Sequence, residues 1–223
     1  MCGRFDLHAR PDTVARAVGA PVPAGGGLET ARGYNITPGR PILAVQADPT
    51  SSAPVVALSD WGFRPEWAGD DAPTPINARA ETVAGSRYFR EAFARQRCLI
   101  PANGWYEWQR TDGGKQPWYV TAPAEAVIFY AGIWTPSAIH PGQRCAIITE
   151  PARGVAASVH PRMPLVLAPE CLAAWLDPSL SDRDAIRRTV RRLDPAALAA
   201  WPVSTRVNRP AEDDPALIEP LED

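Results

Sequence analysis

The second residue of the chain, Cys2, has a type and position that suggest covalent chemistry. An initiator methionine is commonly removed before a small residue, and removal of Met1 gives Cys2 a free α-amine beside its thiol. The amine titrates near pH ~8 and the thiol near ~8.5, so both have a nucleophilic fraction at neutral pH. The thiolate can attack an acyl carbon with the amine as base. Alternatively, amine and thiol together can close a thiazolidine ring on one aldehyde carbon. A buried, unreactive cysteine is the third interpretation.

The composition indicates the class of protein to which Cys2 belongs. With 223 residues, of which 45% are hydrophobic and 22% charged, the chain is expected to fold as one large domain, not to be mostly disordered. No apolar stretch approaches the ~20 residues of a membrane span, and no signal peptide is visible. We therefore expect a cytoplasmic protein, with no membrane partner. Four scattered cysteines without a C-x-x-C pair predict neither a disulfide framework nor a zinc site.

The charge is distributed unevenly along the chain. The net charge is −2, but the last 13 residues hold six of the 25 acidic residues and none of the 23 basic ones, so residues 1–210 have a net charge of +4. Of the basic residues, 22 are arginine, whose guanidinium binds phosphate oxygens in pairs. We predict one domain over residues 1–210 and an acidic tail over residues 211–223. A mildly basic body permits nucleic-acid binding without requiring it.

Short apolar runs separated by turn residues predict many strands and few helices. The predicted helices are Pro11–Val18, Ser86–Arg95, Pro169–Leu176 and Asp182–Leu193. The predicted strands are Pro41–Gln46, Pro54–Ser59, Cys98–Pro101, Trp105–Gln109, Trp118–Thr121, Ala126–Trp134, Arg144–Thr149, Pro164–Leu167 and Val203–Val207, with a hairpin turn at Asp112–Gly114. No regular βαβ rhythm is present. We predict an α+β fold, a single domain with a curled, mostly antiparallel, barrel-like sheet flanked by helices.

A series of motifs in fixed order adds to this interpretation. They are MCGRF at 1–5, YNITPG at 34–39, WGF at 61–63, INARAET at 76–82, RCLIPANGWYEW at 97–108, AGIW at 131–134 and VHPRMP at 159–164. Together they closely resemble the SOS-response-associated peptidase (SRAP) family of abasic-site processing proteins, over about residues 2–209. Thr37, Asn103 and Pro161 depart from the family pattern, at positions that are not proposed to be catalytic.

The resemblance implies a function and roles for particular residues. It implies a single α+β domain with a positively charged groove for single-stranded DNA, in which Cys2, freed of Met1, links covalently to the ring-opened aldehyde of an abasic site. By position, Cys2 resembles the nucleophile, Asn77 the residue that orients the sugar, Glu107 the acid/base that opens the ring, and His160 the group that assists proton transfer. The implied DNA ligand is Arg79, with Arg4 and Arg162 as companions. The resemblance also implies DNA-damage response, a nucleoid-associated state on DNA, and a monomer.

This chemistry explains the residue types. A carboxylic acid can move a proton between the ring and anomeric oxygens if burial between Trp105 and Trp108 raises the pKa of Glu107. Histidine titrates near pH ~6.5 and can donate or accept, whereas an asparagine only orients. No metal or organic cofactor is needed. A tryptophan most often packs in a core, so we expect at most one or two of the eight, with Trp67 first, to stack on bases.

Several alternatives remain open from the sequence. Glu107 also fits the solvent face of a strand, His160 a loop, Asn77 a turn, and Arg79 with Glu81 a same-face pair. Glutamine-dependent amidotransferases also begin Met-Cys-Gly, so an N-terminal-nucleophile amidohydrolase is the alternative function, although its arginine-glycine-proline and glycine–asparagine segments are not recognisable. A reader of modified bases is a third. Peptidase activity, self-release of Met1 and strand cleavage by a lyase reaction are further expectations.

Overall fold

The computed structural model describes residues 2–22, 27–124, 127–137 and 142–221. Four short helices and thirteen strands lie within these ranges. The helices are α1 (Pro11–Ala17), α2 (Arg90–Arg95), α3 (Leu172–Leu176) and α4 (Arg183–Thr189). The strands are β1 (Phe5–Leu7), β2 (Gly33–Ile36), β3 (Pro41–Ala47), β4 (Pro54–Trp61), β5 (Asn77–Arg79), β6 (Arg97–Ala102), β7 (Gly104–Thr111), β8 (Gly114–Thr121), β9 (Ile128–Ser137), β10 (Gly142–Pro151), β11 (Arg162–Pro164), β12 (Val166–Leu167) and β13 (Ala199–Pro202).

Five strands close into a barrel-like sheet. β10 pairs with β4 in parallel, and β4–β3, β3–β6, β6–β9 and β9–β10 follow as antiparallel pairs that complete the ring. The ring strands are rich in buried aliphatic residues, as expected where a sheet encloses its own core. Gly132 of β9 is required by the packing, because a Cβ there would lie 2.8 Å from the Sγ of Cys98. The predicted curled, mostly antiparallel α+β sheet is confirmed.

A second sheet fixes the start of the chain. Its order is β13-β8-β7-β1-β2, and β1 lies between β7 and β2, with Phe5 opposite Trp105. Gly104, at the start of β7, packs against the ring of Tyr119, and a Cβ there would lie 2.4 Å from that ring. Because β1 begins three residues after Cys2, this sheet determines where Cys2 lies.

The end of the described chain packs on the same sheet. Asp213 accepts hydrogen bonds from the backbone N–H groups of Tyr34 (2.5 Å) and Asn35 (3.1 Å). Leu217 is fully buried in a small cluster with Tyr106 and Tyr119. The acidic segment that we predicted as a tail therefore contacts the domain over residues 211–221.

The elements differ from the sequence prediction in instructive places. The strand predicted at Val203–Val207 is wrong: the strand is β13, and Thr205–Asn208 forms a turn of 3-10 helix capped by Ser204. The strands β1, β2 and β5 were not predicted because each has only three or four residues. α2 begins at Arg90, four residues later than predicted.

Helix α4 also differs from its prediction at both ends. Its N-cap is Asp182, predicted as the first helical residue, since the Asp182 carboxylate accepts the N–H of Ala185 at 2.7 Å. It ends at Thr189, where the chain becomes extended. No helix in the described ranges is both long and apolar enough to span a membrane.

Candidate active site

Cys2 lies in the core, against the short strand β5. Its side chain has no solvent exposure, and its backbone carbonyl accepts a hydrogen bond of 2.8 Å from Nδ2 of Asn77. β5 lies parallel to β10, with Asn77 opposite Ile147, so the amide is held by the wall of the closed sheet. The other amide atom, Oδ1 of Asn77, is buried and has no hydrogen-bond partner among the described residues. The arrangement thus leaves one acceptor for a further group beside Cys2.

Glu107 is a buried carboxyl group close to Cys2. It lies on β7, whose first four residues are all buried, so the carboxyl does not point to solvent. Burial raises the pKa of Glu107 to about 7. Burial also raises the pKa of the Cys2 thiol well above its ordinary value, and the nearby Glu107 carboxylate raises it further. Glu107 can therefore both give and take a proton near neutral pH, whereas the thiol of Cys2 stays protonated.

His160 faces Glu107 from the segment before β11. Its Nδ1 lies 3.7 Å from Oε2 of Glu107, an ion-pair distance and too long for a hydrogen bond. The same Nδ1 lies 3.1 Å from the backbone N–H of Arg162 and 3.0 Å from its carbonyl oxygen. Neutral Nδ1 accepts from that N–H, and protonated Nδ1 donates to that carbonyl. Burial lowers the pKa of His160, so the ring is neutral at neutral pH.

Arg162 is held by an acidic residue and a strand. Its guanidinium donates to both carboxylate oxygens of Glu81, with Nη2–Oε2 at 3.1 Å. Nη2 also donates to the carbonyl (2.7 Å) and hydroxyl (3.2 Å) of Thr149 on β10. Glu81 thus pairs with Arg162, not with Arg79, because β5 ends at Arg79 and the chain then turns.

Arg79 and Arg4 have very different surroundings. The side chain of Arg79 is exposed and makes no hydrogen bond or ion pair within the described ranges. Arg4 is partly buried, and its Nη1 donates to Oδ1 of Asn35 (2.7 Å) and to the carbonyl of Val207 (2.5 Å). Its guanidinium also lies over the ring of Trp108, 5.9 Å from the centroid. Arg79 is free to bind an anion. Arg4, by contrast, connects the segment after Cys2 to Asn35 and Val207.

Trp67 is the most exposed of the large hydrophobic residues in the described ranges, with 58% of its surface accessible. It lies in the loop between β4 and β5, where Arg87 stacks over its ring at 5.3 Å and Tyr88 contacts it edge-on at 5.8 Å. Trp61 and Trp105, by contrast, are buried in the core. The geometry leaves Trp67 with a ring available at the surface.

Comparison with known proteins identifies the family of the chain. A family model described as SOS response associated peptidase (SRAP) matches residues 1–210. The chain belongs to the SRAP family. It is 32% identical to the abasic site processing protein YoqW of Bacillus subtilis (strain 168), over 98% of this chain and 99% of YoqW. It is 31% identical to the abasic site processing protein YedK of Escherichia coli (strain K12), over 99% and 100% of the two chains.

The SRAP fold is also seen in solved structures. A crystal structure of a protein from Bacteroides thetaiotaomicron superposes with a TM-score of 0.83 at 23% sequence identity, covering 99% of this chain and 100% of the other. At this level of identity the likeness concerns the fold alone.

The SRAP chain brings its four predicted reactive residues into one cluster. Asn77 binds the carbonyl of Cys2, Glu107 lies close enough to raise the pKa of Cys2, and His160 lies at ion-pair distance from Glu107. Arg79 and Arg162 each lie two residues from a member of this cluster. Trp67 makes no hydrogen bond or ring contact with it.

Two residues of this SRAP site were not predicted from the sequence. Thr149 binds Arg162, and a threonine within an apolar strand gives no signal of such a role. Tyr130 is fully buried, its hydroxyl has no hydrogen-bond partner in the described part of the chain, and burial raises its pKa, with a smaller contribution from the neighbouring Cys2. Its sequence context predicts only core packing. Among the described residues no group of three His, Cys, Asp or Glu side chains is placed to hold a metal ion.

Proposed function

We propose that this protein processes abasic sites in single-stranded DNA by capturing them covalently on Cys2. The observation that carries the proposal is the Asn77–Cys2 hydrogen bond, because it holds the N-terminal residue beside Glu107 and His160. Family membership supports it, since the similar bacterial proteins are named abasic site processing proteins. It also favours this function over glutamine hydrolysis by an N-terminal nucleophile.

The first chemical step is opening of the sugar ring. An abasic deoxyribose is mostly a closed hemiacetal, and its aldehyde forms when a proton is added to the ring oxygen and one is removed from the anomeric hydroxyl. With a pKa of about 7, Glu107 exists in both protonation states at neutral pH and can carry out both transfers. The free Oδ1 of Asn77 is a suitable acceptor for a sugar hydroxyl.

The second step joins the aldehyde to Cys2. After removal of Met1, the α-amine adds to C1′ and gives a carbinolamine, which loses water to form an imine. Loss of water requires a proton, which the protonated form of Glu107 can supply, while neutral His160 can accept a proton in the preceding steps. The thiol then adds to the imine carbon while its proton passes to the nitrogen. The product is a thiazolidine, and the only by-product is one water molecule.

The buried thiol suits this order of events. Because burial keeps the Cys2 thiol protonated, the amine adds first and the thiol closes the ring last. An imine that is not closed allows β-elimination at the sugar, so lyase activity is a proposed side reaction of the same intermediate. Self-release of Met1, or another peptidase reaction at Cys2, is proposed from the family description.

The strand itself is proposed to bind through two arginines and an aromatic ring. Arg79 and Arg162 flank the cluster and suit phosphates, and Trp67 suits base stacking. Arg4 is proposed to act mainly by holding the N-terminal segment, because its Nη1 is bonded to Asn35 and Val207. Phosphate contacts make noncovalent binding weaken with salt. We propose that the protein acts as a monomer in the cytoplasm.

Intact-protein mass spectrometry tests the proposal. Before mixing, the mass should show loss of Met1; after mixing with abasic single-stranded DNA, it should equal protein plus DNA less one water. Cys2→Ala should give no adduct that survives denaturation, and a full-strength adduct from that variant would contradict the role of Cys2. Release of ammonia from glutamine without DNA would favour the amidohydrolase instead.

A further inference from the structure

The guanidinium of Arg162 is occupied by the protein's own carboxylate. Both of its terminal nitrogens donate to Glu81, and only 17% of the Arg162 side chain is exposed. A carboxylate and a phosphate offer a guanidinium the same pair of oxygens. We propose that Glu81 competes with DNA phosphate for Arg162 and so determines how weakly undamaged strands bind. This inference rests on the proposed function.

Glu81 is the partner of Arg162 that can leave. Thr149 is fixed in β10, and its carbonyl oxygen also accepts the N–H of Ala80 at 2.8 Å. Glu81 lies in the turn after β5, with 45% of its side chain exposed. Rotation of Glu81 into solvent frees the guanidinium while Thr149 still holds it. A phosphate can then bind Arg162 in the place that Glu81 has left.

The charges of Arg162 and Arg79 strengthen the competition between Glu81 and phosphate. The hydrogen bond from Arg162 holds the pKa of Glu81 below its ordinary value, and the charge of Arg79 lowers it further, so Glu81 is ionised at neutral pH. Arg79 has no other charged partner within the described ranges. Glu81 therefore offsets one of two positive charges beside the cluster and repels an incoming phosphate.

The expected consequence is discrimination against DNA without a lesion. Every single strand must displace Glu81, but only an abasic strand then gains a covalent bond that makes binding persist. The Arg162–Glu81 pair is partly exposed, and a pair of this kind contributes little to stability, so its removal should change affinity only about two- to fivefold. The effect should be seen in reversible binding and not in the yield of adduct.

Fluorescence anisotropy with a labelled, undamaged single strand measures this effect over a range of salt concentrations. Glu81→Gln should tighten binding about two- to fivefold, and the salt dependence of log K should stay close to that of the wild type, because Arg162 contacts the phosphate in both proteins. Glu29→Gln is the matched control, since it removes the same charge and breaks an exposed pair with Arg32 at 2.8 Å. Arg162→Gln combined with Glu81→Gln should abolish the gain.

The outcomes separate this inference from the proposed function. Unchanged or weaker binding by Glu81→Gln, an equal gain from Glu29→Gln, or a gain that persists without Arg162 would each overturn the competition. Glu81→Ala is a second variant with the same expectation. If the wild-type protein crosslinks abasic DNA but the Glu81 variants do not bind undamaged DNA more tightly, only the inference is wrong. If the wild-type protein forms no adduct, the proposed function fails, whatever Glu81 does.

Discussion

The side-chain amide of Asn77 donates a 2.8 Å hydrogen bond to the backbone carbonyl of Cys2, across 75 residues of sequence. This bond connects Cys2 to β5, which pairs with β10 of the closed sheet. It orients the residue through its backbone and leaves the thiol and any free α-amine unengaged by the amide. Positioning of this kind affects rate more than affinity.

The first prediction follows from that bond. Asn77→Ala should slow adduct formation at saturating DNA about 10²-fold, because Cys2 loses the group that orients it. The dissociation constant for undamaged single-stranded DNA should change little. Asn77→Asp should behave similarly, since a carboxylate cannot donate to the carbonyl. Single-turnover gel assays measure the rate and anisotropy the affinity; an equal loss in both would indicate general disruption.

The second prediction concerns Glu107 and the pH dependence of stability. Its pKa is about 7 in the folded chain, against an ordinary value of 4.5 that we take for the unfolded chain. The folded state therefore binds this proton more tightly, and the stabilisation is complete below about pH 4.5 and is lost as the pH rises to 7. The loss corresponds to roughly 3 kcal/mol.

Glu107→Gln should thus affect stability and activity in opposite directions. Between pH 4.5 and 7 the free energy of unfolding of the variant should fall less than that of the wild type. Above pH 7 the variant should be the more stable of the two. Its rate of adduct formation should fall roughly 10²–10⁴-fold. Urea denaturation at several pH values measures the first, with Glu91→Gln, an exposed α2 residue, as control. A variant that loses both stability and activity at pH 8 would contradict this account.

The sequence predicted the closed sheet well because its strands are long, buried and aliphatic. It failed for β1, β2 and β5, which are held by pairing with distant strands rather than by their own propensity. The strand expected at Val203–Val207 failed for a local reason, since Ser204 caps a 3-10 turn there.

The proposed reactive residues of the candidate site were identified through the order of motifs, not through spacing. From the residues alone, Glu107 fits the solvent face of an alternating strand, yet both faces of β7 are buried at that end, because Trp105 packs into the main core and Tyr106 packs into a second cluster with Leu217. The ion pair of Arg162 with Glu81 joins residues 81 positions apart, and nothing in either motif indicates it.

The third prediction concerns a buried arginine outside the site. Arg97 is buried, yet its guanidinium donates only to backbone carbonyl groups at the ends of α2 and α3 and in the turn that follows. The acceptors are Phe93, Ala94, Trp175, Asp177 and Leu180. Burial lowers the pKa of Arg97 to about 10, so it stays charged at neutral pH.

Arg97→Met should lower the free energy of unfolding by about 3–5 kcal/mol, because five carbonyl groups lose a charged donor. Arg95→Met is the control, since Arg95 makes only an exposed pair with Glu91 and should change stability by about 0.5 kcal/mol or less. Chemical denaturation measures both. Equal effects of the two substitutions would show that the carbonyl cluster is not what stabilises α2 and α3.

The fourth prediction concerns the attachment of the acidic C-terminal segment. Asp213 accepts two backbone N–H groups of β2 and lies so close to Gly33 that a Cβ there would be 2.7 Å from its carboxylate. Asp213→Ala should lower the free energy of unfolding by about 1–3 kcal/mol and speed proteolysis after residue 208. Asp70→Ala, at an exposed position, is the control. Unaltered proteolysis would show that Leu217 alone anchors the segment.

The last prediction tests the proposed role of Trp67 on DNA. Its exposed ring makes few contacts that folding needs, so Trp67→Ala should leave the midpoint of thermal unfolding nearly unchanged. If the ring stacks on a base, the same change should weaken reversible binding of single-stranded DNA by about 1–3 kcal/mol, or roughly 5- to 150-fold. Val22→Ala, which removes another exposed apolar side chain, is the control. Because stacking does not depend on charge, the salt dependence of binding should be the same in Trp67→Ala as in the wild type. Unchanged affinity would place the strand away from the loop between β4 and β5.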